Sequence, residues 1–162
     1  MAQNRPVADV IELKFPGVPD YLGVARLTVS GVANRMGFSF EEIEDIKLAV
    51  GEACSNAVKH AYRAADGVIQ LVCQVHPDRL VIVVSDQGKG LESEPVLDQL
   101  SPLCAGIDIE EVEEGGLGLY VIHALMDEVD IRTDHGVSVT MTKYVRRDGV
   151  AGDDRTISEE EV

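Results

Sequence analysis

A chain of 162 residues, 45% of them hydrophobic, has room for one domain with a sizeable core and not comfortably for two. Its 29 acidic and 14 basic side chains leave a formal charge of −15, which argues against direct nucleic-acid binding, a task that needs clustered Lys and Arg. Three cysteines (Cys54, Cys73, Cys104) without C-x-x-C spacing predict reduced thiols. The lack of a signal-like N-terminus or a long apolar run predicts a soluble, cytoplasmic protein off the membrane.

In chain order, "VIELKF" (10–15) alternates apolar and polar residues and reads as a strand closed by Pro16-Gly17. Asp20 is a candidate cap for the helix that follows, in which Leu22, Ala25, Val29, Val32 and Met36 recur at steps of three and four. Gly37 ends it. Ser39 and Glu42 form a capping box for a second, long helix reaching about Tyr62. Its core stripe is Ile43, Ile46, Ala49 or Val50, Ala53 and Ala57. Two strands, 67–76 and 79–86, are joined by Pro77-Asp78.

Residues 87–115 look irregular, glycine-bearing and acidic, the mark of a lid or a loose segment. A glycine turn then opens a helix (116–129), and strands at 129–134 and 136–145 flank the turn "DHG". The order β-α-α-β-β-loop-α-β-β predicts an α+β two-layer sandwich, with a mostly antiparallel mixed sheet and helices on one face. The expected divisions are an N-terminal arm (1–9), a single domain (10–145) and an acidic flexible tail (146–162) with six acids against three Arg.

Three places carry chemistry. In "GEACSNAVKH" (51–60), Glu52, Asn56 and His60 share one helix face. The stripe is either solvated, or a carboxylate able to activate a hydroxyl above an amide suited to Mg²⁺. In "SDQGKG" (85–90), Asp86 at a strand end could accept a hydrogen bond from an exocyclic amine, with Gly88 and Gly90 admitting a ligand close to the backbone; a plain Asp-Gly turn is the other reading. In "EEGGLGLY" (113–120), Gly115, Gly116 and Gly118 before a helix form either a phosphate-holding loop or a hinge. The histidines show no metal-ligand spacing with the cysteines, and Cys54 reads as packing.

Glu-x-x-x-Asn on a helix, Asp-x-Gly-x-Gly after a strand and Gly-x-Gly opening a helix, in that order, resemble the GHKL (Bergerat) ATPase fold. Over about 10–145, "ARLTVSGVANRMG", "EIEDIKLAVGEACSNAVKHAY", "GGLGLYVIHALMDEV" and "GVSVTMTKYV" are similar to the anti-sigma-factor serine kinases of the RsbW/SpoIIAB family. The resemblance implies that Glu52 is the general base for a substrate serine and that Asn56 ligates the Mg²⁺ bridging the ATP phosphates. Asp86 would read adenine above a floor shaped by Gly88 and Gly90. Gly116, Leu117 and Gly118 would wrap the phosphates beneath a lid at about 91–115. Ser138 would lie near adenine, and Arg26 would hold protein partners. Those partners would be an alternative stress-response sigma factor of the sigma-B type and an anti-anti-sigma STAS protein of the RsbV type. The latter would be phosphorylated on serine by Mg-ATP, by a kinase acting as a homodimer.

One departure stands out: where the SpoIIAB relative has an arginine before the phosphate glycines, this chain has Glu113 and Glu114, and Lys89 is the only base in the lid region. Two other functions fit less well. One is a nucleotide-gated sigma-sequestering protein with negligible catalysis. The other is a histidine-kinase or stand-alone ATPase domain, although the chain shows no dimerisation segment with a phosphoacceptor His and no transducer domain.

Overall fold

The computed structural model describes residues 8–63, 67–86, 114–133 and 136–146. Strand β1 (Asp9–Pro16) leads through a single 3-10 turn at Pro19–Tyr21 into helix α1 (Leu22–Met36). Asp20 does not cap α1. The proline-led turn inserts itself first, so the helix starts one residue later, from a Tyr21 cap position that makes no side-chain hydrogen bond. The far end behaves as expected: Gly37 takes φ 94° and its N–H reaches the carbonyls of Ala33 and Asn34.

Helix α2 (Phe40–Arg63) opens on the expected capping box. The Ser39 N–H donates to Glu42 Oε1 at 2.8 Å and the Glu42 N–H to Ser39 Oγ at 3.1 Å. The core stripe takes both of the alternatives left open by the periodicity. Ile46, Ala49, Val50, Ala53, Cys54 and Ala57 are all buried, and Ile43 packs at the edge. So many small residues let α2 settle close onto the sheet.

Strands β2 (Val68–Val75) and β3 (Arg79–Asp86) follow, then helix α3 (Glu114–Leu125), β4 (Glu128–Arg132) and β5 (Ser138–Tyr144). The sheet order is β1-β2-β3-β5-β4, and every described pair is antiparallel. Pairing of Ile69 with Asp86, Leu71 with Val84 and Cys73 with Ile82 puts one row of side chains under the helices. Val84 and Ile82 face Val139 and Met141 in the same row. These aliphatic residues are at most 3% exposed, so truncating Ile82 or Met141 to Ala would cost roughly 2–5 kcal/mol. Helix α2 lies mid-layer, packed on β2 and β3 and flanked by α1 on one side and α3 on the other. The fold is thus the two-layer α+β sandwich that the alternating pattern implied.

Helix α3 departs from the sequence expectation at its start. The glycines do not precede the helix as a turn; Gly115, Gly116 and Gly118 lie within its first two turns. At the other end, Lys143 on β5 is only 7% exposed, and its Nζ donates to the carbonyl of Leu125, the last helical residue, at 2.7 Å. A cation there satisfies an orphan carbonyl and complements the negative end of the helix dipole. The Asp127 N–H to the Thr142 carbonyl, at 2.9 Å, fastens the same corner.

Candidate functional site

Glu52 and Asn56 stand one turn apart on the flank of α2 that faces α3, both half-buried. What they face is Gly118. A methyl group added there would come within 2.6 Å of Glu52 Oε1 and 3.6 Å of Asn56 Nδ2. The glycine therefore makes room for the Glu52 carboxylate between two helices and does not serve a turn. It brings the first turn of α3 against the carboxylate and the carboxamide. The backbone N–H groups that open that turn, through Gly116, have no partner within the helix, and the helix dipole adds positive potential at the same end. An anionic ligand seated there would have a proton acceptor and a neutral oxygen donor beside it.

Asp86 ends β3 on the helix-facing side of the sheet and is 4% exposed. It is held from β5: the Val137 N–H donates to Asp86 Oδ2 at 3.4 Å, and the Asp86 N–H donates to the Val137 carbonyl at 3.2 Å. Gly136, with φ 104°, supplies the left-handed residue that turns the chain into this pairing. A carboxylate so deeply buried needs such donors to offset its lost hydration. Val137 was invisible to sequence reasoning because its contribution is a backbone N–H.

Ser138 is placed elsewhere. It pairs with Ser85, whose side chain points to the face of the sheet opposite Asp86, so the two do not meet. Gly88, Gly90, Lys89, Glu113 and all but the last two residues of the expected lid lie outside the described residues, as does the side chain of His60. Arg26 is an exposed residue of α1 whose guanidinium lies across α2 at Gly51. Burial pushes the thiol of Cys54 up to about 12 and that of Cys73 up to about 11, while the nearby Arg26 charge pulls Cys54 back. Both are packing thiols, as Cys54 was expected to be.

No group of three His, Cys, Asp or Glu side chains converges among the described residues. The donor set therefore suits a hard cation carried mainly by phosphate and water, with Asn56 the residue available to it. Among the same residues, no helix is long and apolar enough to cross a membrane.

Residues 15–143 match the family described as the histidine kinase-like ATPase domain. The fold is also that of the solved RsbU and RsbW domains of a Mycobacterium tuberculosis protein, with a TM-score of 0.60 at 20% identity. The match covers 85% of this chain and 32% of that longer one. Fold and glycine-braced helix pair together define an ATP-using domain of the histidine-kinase-like class. The curated relatives narrow this. The chain is 46% identical to the serine-protein kinase RsbW of Bacillus pumilus over 148 residues, covering 90% of this chain and 91% of the relative. It is 45% identical to that of Bacillus subtilis over 147 residues, covering 90% and 92%. The chain belongs to the RsbW family of serine-protein kinases, and its activity is phosphoryl transfer from ATP to a protein serine.

Proposed function

We propose that this kinase is a cytoplasmic anti-sigma factor of the stress response. It holds a sigma-B-type sigma factor and, with Mg-ATP, phosphorylates a serine of an RsbV-type STAS antagonist so that the antagonist is inactivated. The single observation that supports this most is the seating of Glu52 and Asn56 against Gly118, which gathers three motif residues at one helix end. Glu52 accepts the proton of the incoming serine hydroxyl. Asn56 offers its side-chain oxygen to Mg²⁺, whose role when bound is to neutralise charge on the phosphates. The first turn of α3, with Gly116, Leu117 and Gly118, holds phosphate oxygens on backbone N–H groups. Asp86, braced by Val137, accepts from the adenine amine, with Gly88 and Gly90 below it. The working unit is a homodimer. Phosphoryl transfer is mainly positioning and charge neutralisation, which this arrangement serves.

The test is incubation with Mg-ATP and the cognate STAS protein, read by phosphopeptide mass spectrometry. Phosphoserine on the partner is expected, with Glu52→Gln lowering kcat by about 100-fold or more while ATP affinity changes little. A partner bound but never phosphorylated would leave a nucleotide-gated sequestering protein instead. Full activity of Glu52→Gln would remove Glu52 from its role.

A further inference from the structure

Helix α2 contains a second glycine that the site does not explain. Gly51 is mid-helix and buried, where alanine is ordinarily the better residue by helix propensity. A methyl group at Gly51 would meet Arg26: Nε at 2.8 Å, Nη2 at 3.4 Å and Cζ at 3.5 Å. The plane of the guanidinium thus occupies the space a side chain would fill. Gly23 and Gly31, on α1, have nothing within 4 Å of the same construction, so small residues in these helices do not by themselves imply a contact. Cys54, one turn beyond Gly51, feels the Arg26 charge, which agrees with that location.

The seat is unusual for a cation in a protein of charge −15. Arg26 makes no ion pair with any described residue. Leu27, next to it on α1, is 72% exposed, and Leu48, one turn before Gly51 on α2, is 51% exposed. An Arg with exposed leucines beside it has a composition found at interface centres, where Arg anchors contribute most. Such an Arg contributes more when its rotamer is already set, because less freedom is lost on binding.

We propose that Gly51 is a positioning residue for the protein substrate: its missing side chain is a notch that fixes the Arg26 guanidinium in the pose that receives the STAS protein. The inference rests on the reading of Arg26 as a partner contact given above. Nothing rigid stands in the way of a methyl group at Gly51, only an exposed and flexible side chain, so Gly51→Ala keeps the fold and moves the guanidinium.

The experiment is steady-state phosphorylation of the cognate STAS protein by the full-length kinase and three variants: Arg26→Ala, Gly51→Ala and the pair combined. The Nε–Hε resonance of Arg26 is followed by NMR. Gly51→Ala is expected to raise KM for the STAS protein about fivefold, to leave kcat and KM for ATP within twofold, and to shift the Arg26 resonance. Arg26→Ala raises the same KM about tenfold, and the double variant is no worse than Arg26→Ala alone, since the notch has nothing left to hold. A normal KM in Gly51→Ala with a strong effect of Arg26→Ala overturns the notch and spares the partner contact. A normal KM in Arg26→Ala overturns the partner contact and the notch with it. Additive losses in the double variant also overturn the proposal, because Gly51 would then act by another route.

Discussion

The two flanks of α2 solve opposite problems with the same residue. Toward α3, a glycine on the neighbouring helix makes room for an anion, the Glu52 carboxylate. Toward α1, a glycine on α2 itself makes room for a cation, the Arg26 guanidinium. One flank joins two helices closely at the proposed catalytic residues. The other leaves its charge open to the outside. A helix built largely of small residues can thus present a reaction on one side and a recognition element on the other without changing its own backbone.

The sharpest way to break the first half of this contrast is Gly118→Ala. Its methyl group would stand 2.6 Å from Glu52 Oε1, so either the carboxylate rotates away or α3 backs off. Both outcomes displace the proton acceptor from the phosphate end, and kcat should fall about 10- to 100-fold, the range expected when a positioned group shifts by an ångström. Steady-state phosphorylation measures it, and an unaltered kcat would mean that the closeness of the two helices is incidental.

The second effect is on stability and comes from the thiols under α2. Cys54 and Cys73 are pushed up to about 12 and 11 from an ordinary 9.0. Above pH 9 the unfolded chain releases protons that the folded chain keeps, so stability is full below that pH and declines as pH rises toward 11. The slope should approach about 1.4 kcal/mol per pH unit for each thiol. Urea melts at several pH values would show it, and a Cys54→Ala, Cys73→Ala variant should flatten the curve.

The smallest effect provides the control. Gly31, on exposed mid-helix ground with nothing near it, should accept alanine with a gain of about 0.5–1 kcal/mol in stability and no change in phosphorylation. If Gly31→Ala damaged the kinase as Gly118→Ala does, the distinction between a glycine that admits a neighbour and one that does not would be lost.

Much of this was legible in the sequence because it depends on periodicity. The capping box at Ser39 and Glu42, the α2 stripe and the alternation of β2 and β3 each follow from local spacing, and the structure reproduces them. Asp20 misled because a cap is judged from one residue, while the start of α1 was decided by the Pro19 turn before it. The glycines of α3 looked like a turn because glycine disfavours helix. Their value appears only once α2 is beside them, and that is tertiary information. Gly51 carried a faint signal of its own, a glycine inside a strong helix pattern, with no hint of what would fill its space. Ser138 shows the remaining difficulty: a one-residue step along a strand moves a side chain to the other face, and register is set by the partner strand.

Lys143 pins the heel of α3. The ammonium grips the carbonyl at Leu125, and the next turn of chain is tied to β5, so the helix has a polar anchor at its C-terminal end. Twelve residues make a lever of roughly 18 Å, so a tilt of about 10° around that anchor sweeps the Glu114 end through roughly 3 Å and carries the buried Leu119 and Ile122 with it by less. Whatever rearrangement the gripping of a triphosphate demands, the molecule can accommodate as rotation of one rod about a pinned heel.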